Sequence, residues 1–80
     1  MNRPGRPLSP AKYPICAAIR AERLCQRVSI ADLARKIGIP ASNQYRYERD
    51  RVPSLAMFAR IAKGLGVSPT ALLKHAQRNK

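Results

Sequence analysis

Between Ala41 and Arg49 the chain reads ASNQYRYER, a run in which nearly every side chain donates or accepts hydrogen bonds. Amides at Asn43 and Gln44, phenols at Tyr45 and Tyr47, and guanidinium groups at Arg46 and Arg49 are the groups that read base edges and hold phosphates. Arg46 can bond guanine O6 and N7 with two parallel N–H groups, and Asn43 can pair with adenine N6 and N7. Ala41 offers only apolar contact to a thymine methyl, and Tyr45 can stack on a sugar or donate to a phosphate. Enzyme chemistry is not supported by the same inventory. His75 is the single histidine, no Ser-His-Asp or Cys-His grouping can be assembled, and the four acidic residues all have structural uses available. No catalytic residue is assigned. Cys16 and Cys25 stand nine residues apart in one expected helix, about 13 Å along its axis. A disulfide needs Cα atoms within roughly 7 Å, so both are expected to be small buried or half-buried apolar residues. Without further Cys or His at ligand spacing, neither a metal nor a cofactor is expected.

Sixteen Lys and Arg against four Asp and Glu give the 80-residue chain a net charge of +12. That exceeds what solubility asks of a small domain, and it is the electrostatic footprint of a nucleic-acid binder. Eighty residues make one domain with a modest core and leave no room for a separate ligand domain. No apolar run approaches the roughly 18 residues of a membrane span. The opening MNRPGRPLSP is basic but lacks the apolar stretch of a secretion signal. The expectation is a cytoplasmic, nucleoid-associated protein with double-stranded DNA as partner and no membrane association.

Short helices must carry the polar run into place. Leu33, Ala34 and Ile37 share one face of a helix starting at Ile30. Ser29 stands at its N-cap, and Asp32 completes a capping-box-like pair near the positive helix end. Gly38 suits a left-handed residue after the helix, and Pro40 opens the next helix, from about Ala41 to Arg49. A helix, a short turn containing Gly and a second helix form the helix-turn-helix arrangement, whose second helix enters the major groove. Ahead of it, a first helix is expected over Pro14 to Gln26, with Ile15, Ile19 and Arg23 on one stripe and Val28 just before the Ser29 cap. Behind it, Arg49, Asp50 and Arg51 form a loop in which Arg49 and Arg51 are candidate phosphate contacts. Ser54 caps a fourth helix whose buried stripe is Leu55, Phe58, Ile61, Ala62 and Leu65, with Gly64 and Gly66 ending it. Ser68 and Pro69 open a fifth, to about Gln77, with Leu72 and Leu73 as its apolar pair and His75 exposed.

Several spaced motifs agree: Ile19-Arg20-x-x-Arg23, Ser29-x-x-x-Leu33-Ala34-x-x-Ile37-Gly38-Ile39, Arg46-Tyr47-Glu48-Arg49, Pro53-Ser54-Leu55, and Ile61-Ala62-x-x-Leu65-Gly66-Val67-Ser68. Over roughly residues 15–74 the chain resembles the phage-repressor and Cro type of helix-turn-helix regulator, the XRE family. The resemblance implies an all-α, compact five-helix, lambda-repressor-like DNA-binding domain over residues 13–77, with the helix-turn-helix at helices 2 and 3. A flexible basic, Pro-rich arm (residues 1–12) precedes it and a basic tail (78–80) follows. By the resemblance, Ala41, Ser42, Tyr45 and Arg46 face the bases with Asn43 close by, and Ser29 joins Arg49 and Arg51 on phosphates. It also implies an ion pair between Arg23 and Glu48, and a dimer contact around Val67 and Leu72. Tyr47 stands where the family places a large core residue. The chain departs from the pattern at Glu22, usually apolar, at Arg27, often Gly, and at Ile30, often a phosphate-contacting Gln. Asp50 also replaces a frequent Gly, in a turn that Asp tolerates. Gln44 replaces a buried aliphatic residue. Either its amide is half-buried and satisfied, or the helix is rotated and Gln44 reads DNA.

In the arm, Arg3, Arg6 and Lys12 alternate with Pro4, Pro7 and Pro10. Arg3-Pro4-Gly5-Arg6-Pro7 is similar to the Gly-Arg-Pro core of minor-groove AT-hook arms, with the leading order broken. Two readings stand, a minor-groove arm and a disordered solubilising leader. The function expected first is a sequence-specific transcriptional repressor that occupies promoter DNA without an effector. It would act as a homodimer on a near-palindromic operator, with recognition helices about 34 Å apart. The alternatives are an antitoxin-type or adaptor protein whose main partner is another protein, and a non-specific architectural DNA coater.

Overall fold

Local chemistry sets the helix boundaries. The computed structural model describes residues 11–78, and within them the helices are α1 (Pro14–Cys25), α2 (Ile30–Ile37), α3 (Ala41–Tyr47), α4 (Leu55–Leu65) and α5 (Pro69–Arg78). Ser29, Ser54 and Ser68 precede α2, α4 and α5. Their hydroxyls accept from the backbone N–H groups of Asp32, Met57 and Ala71 at 3.0, 3.2 and 3.1 Å. Each cap satisfies a first-turn donor and contributes about 1 kcal/mol.

The ends of α1, α2 and α4 share one closing motif. A single residue enters the left-handed region in each: Arg27 at φ 60, Gly38 at φ 80 and Gly66 at φ 73. Their N–H groups bond back to the carbonyls of Leu24, Arg35 and Lys63. The N–H of the next residue reaches one step further, from Val28 to Arg23, Ile39 to Ala34 and Val67 to Ala62, at 3.2, 3.0 and 3.0 Å. This bond pair closes the helix and turns the following apolar residue onto the core. Glycine adopts that conformation freely. At Arg27 the Cβ makes it cost about 1–2 kcal/mol.

The core joins Ile19 of α1, Leu33 and Ile37 of α2, Phe58, Ile61, Ala62 and Leu65 of α4, and Leu72 of α5. Each large side chain removed from water contributes roughly 1.5–3 kcal/mol. α1 packs on α5 and α4, while α2 packs on α3 and α4. Gly64 lies inside α4, and the helix ends only at Gly66, which corrects the expectation that both glycines are stops. A Cβ on Gly64 would sit 2.5 Å from Ile37 Cγ2 and 3.1 Å from Leu33 Cδ1. The missing side chain lets α2 lie against α4.

Other expectations shift as well. Leu55, placed in the buried stripe, is 85% exposed, because it starts α4 one turn beyond the edge of the core. α3 stops at Tyr47 rather than Arg49, since the N–H groups of Arg49, Asp50 and Arg51 all converge on the Arg46 carbonyl at 3.0, 3.0 and 2.9 Å. Asp50 does not take the left-handed conformation. Among the described residues Arg27 is the one non-glycine with positive φ. Cys16 is buried but Cys25 is exposed at the end of α1, and both are free thiols. Burial pushes the Cys16 thiol above its ordinary range. The side chain of His75 lies outside the described residues.

Candidate nucleic-acid interface

α3 is rooted by a buried polar cluster. Arg23 Nε donates to both carboxylate oxygens of Glu48 at 3.0 and 2.8 Å, and Arg23 Nη1 donates to the Val28 carbonyl at 2.8 Å. Gln44 Nε2 donates to Glu48 Oε2, also at 2.8 Å. Arg23, Gln44 and Glu48 are 5%, 0% and 2% exposed, so charge pairing is what makes this burial tolerable. Gln44 is therefore wholly inside, not half-buried, and only half of its amide is satisfied. Its Oε1 has no partner among the described residues.

Rooting Gln44 and Glu48 inward turns the opposite stripe of α3 outward. Ser42 and Arg46 lie on it and are exposed, Asn43 and Tyr45 are half-buried on its two flanks, and Ala41, three residues before Gln44, is exposed at the helix start. Tyr47 packs against the core. Just past the helix, the Arg49 guanidinium lies 5.2 Å from the centre of the Tyr45 ring and 3.3 Å from Asp50 Oδ2. Its contact with Tyr45, and then the Asp50 carboxylate, raise its pKa and hold its charge. Arg51 is exposed, and its carbonyl accepts from the Cys16 thiol at 3.5 Å. Ser29 is exposed at the start of α2. Its oxygen accepts from Asp32, which leaves its O–H free to donate.

Lys12 joins this face through its backbone, since its N–H donates to the Arg49 carbonyl at 2.6 Å. Its ammonium group lies 5.9 Å from the Tyr13 ring. The chain that leads to the arm thus leaves beside the C-terminal end of α3. Arg3 and Arg6 lie outside the described residues. At the other end of the fold, Leu72 is 0% exposed and belongs to the core. It has no surface left for a partner, which corrects its assignment as a dimer contact. Val67 is half-buried, and the leucine that faces outward is Leu73.

Four long-range ties were not legible in the sequence: the Cys16 thiol to the Arg51 carbonyl, Lys12 N–H to Arg49, Gln26 Nε2 to the Leu65 carbonyl at 2.6 Å, and the Arg60 guanidinium to the Ile37 carbonyl. Each depends on how helices dock, and no local pattern announces it. Among the described residues no helix is long and apolar enough to cross a membrane.

The helix-turn-helix family model (HTH_3) matches residues 19–72. Two crystal structures of the clp gene regulator ClgR from Corynebacterium glutamicum share the fold. One is 25% identical with a TM-score of 0.77, covering 82% of this chain and 87% of that one. The other is 23% identical with a TM-score of 0.81, covering 91% and 79%. At that lower identity the likeness speaks for the fold alone. No curated protein matches the chain significantly. With the five helices, the Ser29-to-Tyr47 helix-turn-helix and more than half of the chain matched, this protein belongs to the XRE family of helix-turn-helix DNA-binding transcriptional regulators.

Proposed function

We propose that the chain is a sequence-specific repressor that inserts α3 into the major groove of a near-palindromic operator as a homodimer. The observation that carries the reading is the two-sided character of α3. One side is locked by Arg23, Gln44 and Glu48, and the other presents Ser42 and Arg46 to solvent, with Tyr45 half-buried beside them and Ala41 exposed at the helix start. Arg46 bonds guanine, Ala41 and Ser42 meet base edges at the N-terminal turn, and Asn43 reaches adenine from the flank. Arg49, Arg51 and Ser29 hold the backbone on either side and contribute affinity without sequence information. Lys12, tied to the Arg49 carbonyl at the C-terminal end of α3, reaches the adjoining minor groove. Val67, with Leu73 in place of the buried Leu72, supplies the dimer contact. The clp gene regulator of similar fold is itself a regulator of genes. The protein works at the nucleoid, in the cytoplasm.

Selection of bound duplexes from a random pool at physiological salt tests this. An inverted repeat with centres about ten base pairs apart is expected. A pool without any preference, bound with steep salt dependence, sinks the operator reading in favour of a non-specific coater. No binding, together with a co-purifying small protein, points instead to an adaptor or antitoxin. Arg46→Ala should relax preference at one position, whereas Arg49→Ala or Arg51→Ala should weaken all sequences alike.

A further inference from the structure

The chain has four acidic residues, and all are engaged elsewhere than at the C-terminal ends of α2 and α4. Glu48 is buried against Arg23, Asp32 pairs with Arg35, Asp50 pairs with Arg49, and Glu22 accepts from Gln26. Lys36 and Lys63 at those two helix ends, with Arg60 a turn earlier on α4, line a cavity of about 390 Å³ together with Ile37 and Gly64. All three cations are exposed, and no carboxylate lines the cavity. Arg60 and Lys63 are three residues apart on α4, a spacing at which like charges repel. The C-terminal end of a helix favours a cation, and at α2 the Arg60 bond to the Ile37 carbonyl already meets that demand. The remaining charge has no counterpart within the described part of the chain.

We propose that this cavity is a phosphate-binding site distinct from the α3 stripe. It lies at the opposite end of α2 from Ser29, about 10 Å along the helix axis. The donor set fits a multiply charged, tetrahedral oxyanion. Arg60 is anchored by one N–H and keeps the rest of its planar fork, while Lys36 and Lys63 act as mobile point charges. The volume falls in the range of small-ligand sites, roughly 300–1,000 Å³, and holds more than one phosphoryl group. Two sources share this chemistry, the backbone phosphates of DNA extending beyond the α3 contact and a free polyphosphate ligand.

Inorganic pyrophosphate tests the site without DNA, so its outcome is independent of the operator reading. Backbone amide spectra of the nitrogen-15-labelled chain are followed during titration, against sodium chloride at equal ionic strength. Saturable shifts are expected at Ile37, Gly38, Gly64 and Leu65. In the Lys36→Gln/Lys63→Gln variant the affinity should fall at least tenfold, and the single Lys63→Gln substitution should give an intermediate loss. Shifts that never saturate, that match those in chloride, or that persist undiminished in the variants overturn the proposal. The salt dependence of DNA binding then assigns the source. A slope shallower by about 1.8 in the double variant, two contacts at ~0.9 each, identifies DNA backbone. An unchanged slope beside saturable pyrophosphate binding identifies a free ligand.

Discussion

Glu48→Leu removes the charge partner of a guanidinium that is only 5% exposed. Arg23 then keeps one bond, to the Val28 carbonyl at 2.8 Å, and loses both bonds to the carboxylate. Gln44 Nε2 loses its acceptor at the same time. Deleting one member of a buried pair costs about 3–5 kcal/mol. A domain of this size holds about 4–12 kcal/mol in total, so the variant forfeits between a quarter and all of its stability. Arg23→Met should cost a similar amount, because it strands the Glu48 carboxylate with the Gln44 amide as its one remaining bonded donor.

The double substitution Arg23→Met/Glu48→Leu separates this account from a simple count of contacts. Independent losses would sum to about 6–10 kcal/mol and leave little or nothing folded. With both charges gone, the defects remaining are the Gln44 amide without a partner, about 1–3 kcal/mol, and the Val28 carbonyl without its Arg23 donor, which is only part-buried and can bond water instead. The double variant should therefore be more stable than either single variant. Adding Gln44→Leu should recover stability further, since it also removes the unpaired Oε1. Urea unfolding followed by helical circular dichroism gives all four values, with equal slopes confirming that the transitions compare. Single losses of about 0–1 kcal/mol, as for exposed pairs, would refute the reasoning. So would a double loss equal to the sum of the singles.

Arg27→Gly relieves about 1–2 kcal/mol of left-handed strain at φ 60, against about 0.5–1 kcal/mol of extra backbone entropy. The melting temperature should rise by a few degrees, and a fall would show that the Arg27 side chain makes a contact worth more than the strain. Gly64→Ala gains about 1 kcal/mol of helix propensity but drives a methyl to 2.5 Å from Ile37 Cγ2. Overpacking of this kind costs about 1–3 kcal/mol, so thermal melts should show a net loss, and a stabilised variant would mean that α2 and α4 separate easily. Thiol labelling at pH 8 should modify Cys25 quickly and Cys16 only in denaturant, because Cys16 is buried and its pKa is raised, first by that burial. Equal rates would contradict the packing of α1. Since the Cys16 pKa is raised in the fold, the stability tied to it is complete below the ordinary thiol range and is lost as pH climbs from that range through the raised folded value.

Much of the scaffold was legible because its signals are local. Ser29, Ser54 and Ser68 cap by reaching three residues along the same chain, and Gly38 and Gly66 stop helices by their own backbone freedom. Leu55 and Leu72 show where that logic ends. Both continue an apolar pattern, yet Leu72 is inside because α5 docks on α1 and α4, and Leu55 is outside because the first turn of α4 lies beyond the edge of the core. Gly64 has the same ambiguity, since a glycine near a helix end reads as a stop whether it ends the helix or admits a neighbour. The complete burial of Gln44, beyond the half-burial that was one of its two readings, was hidden for another reason. It requires a spare acceptor on Glu48, and that acceptor exists only once Arg23 has brought the carboxylate inside.

α3 has seven residues, too few to be stable as an isolated helix, which is marginal in water below about 12–15 residues. What it presents to a partner is therefore set by its anchorage. A rotation by one residue, about 100°, would carry Ser42 and Arg46 away from the outward stripe and bring new side chains into it. An aliphatic residue at position 44 packs acceptably over a range of such rotations, because dispersion is not directional. The Gln44 amide does not, since its bond to Glu48 Oε2 at 2.8 Å fails once the alignment is lost. On this argument the polar anchor costs stability and fixes orientation, a use of buried polar groups that holds in some proteins and not in others. The Arg23→Met/Gln44→Leu/Glu48→Leu variant decides which applies here. If it folds well and still selects the wild-type consensus from a random pool, packing alone orients α3. If it folds well and its selected sequences blur, the buried amide and carboxylate are what aim the helix.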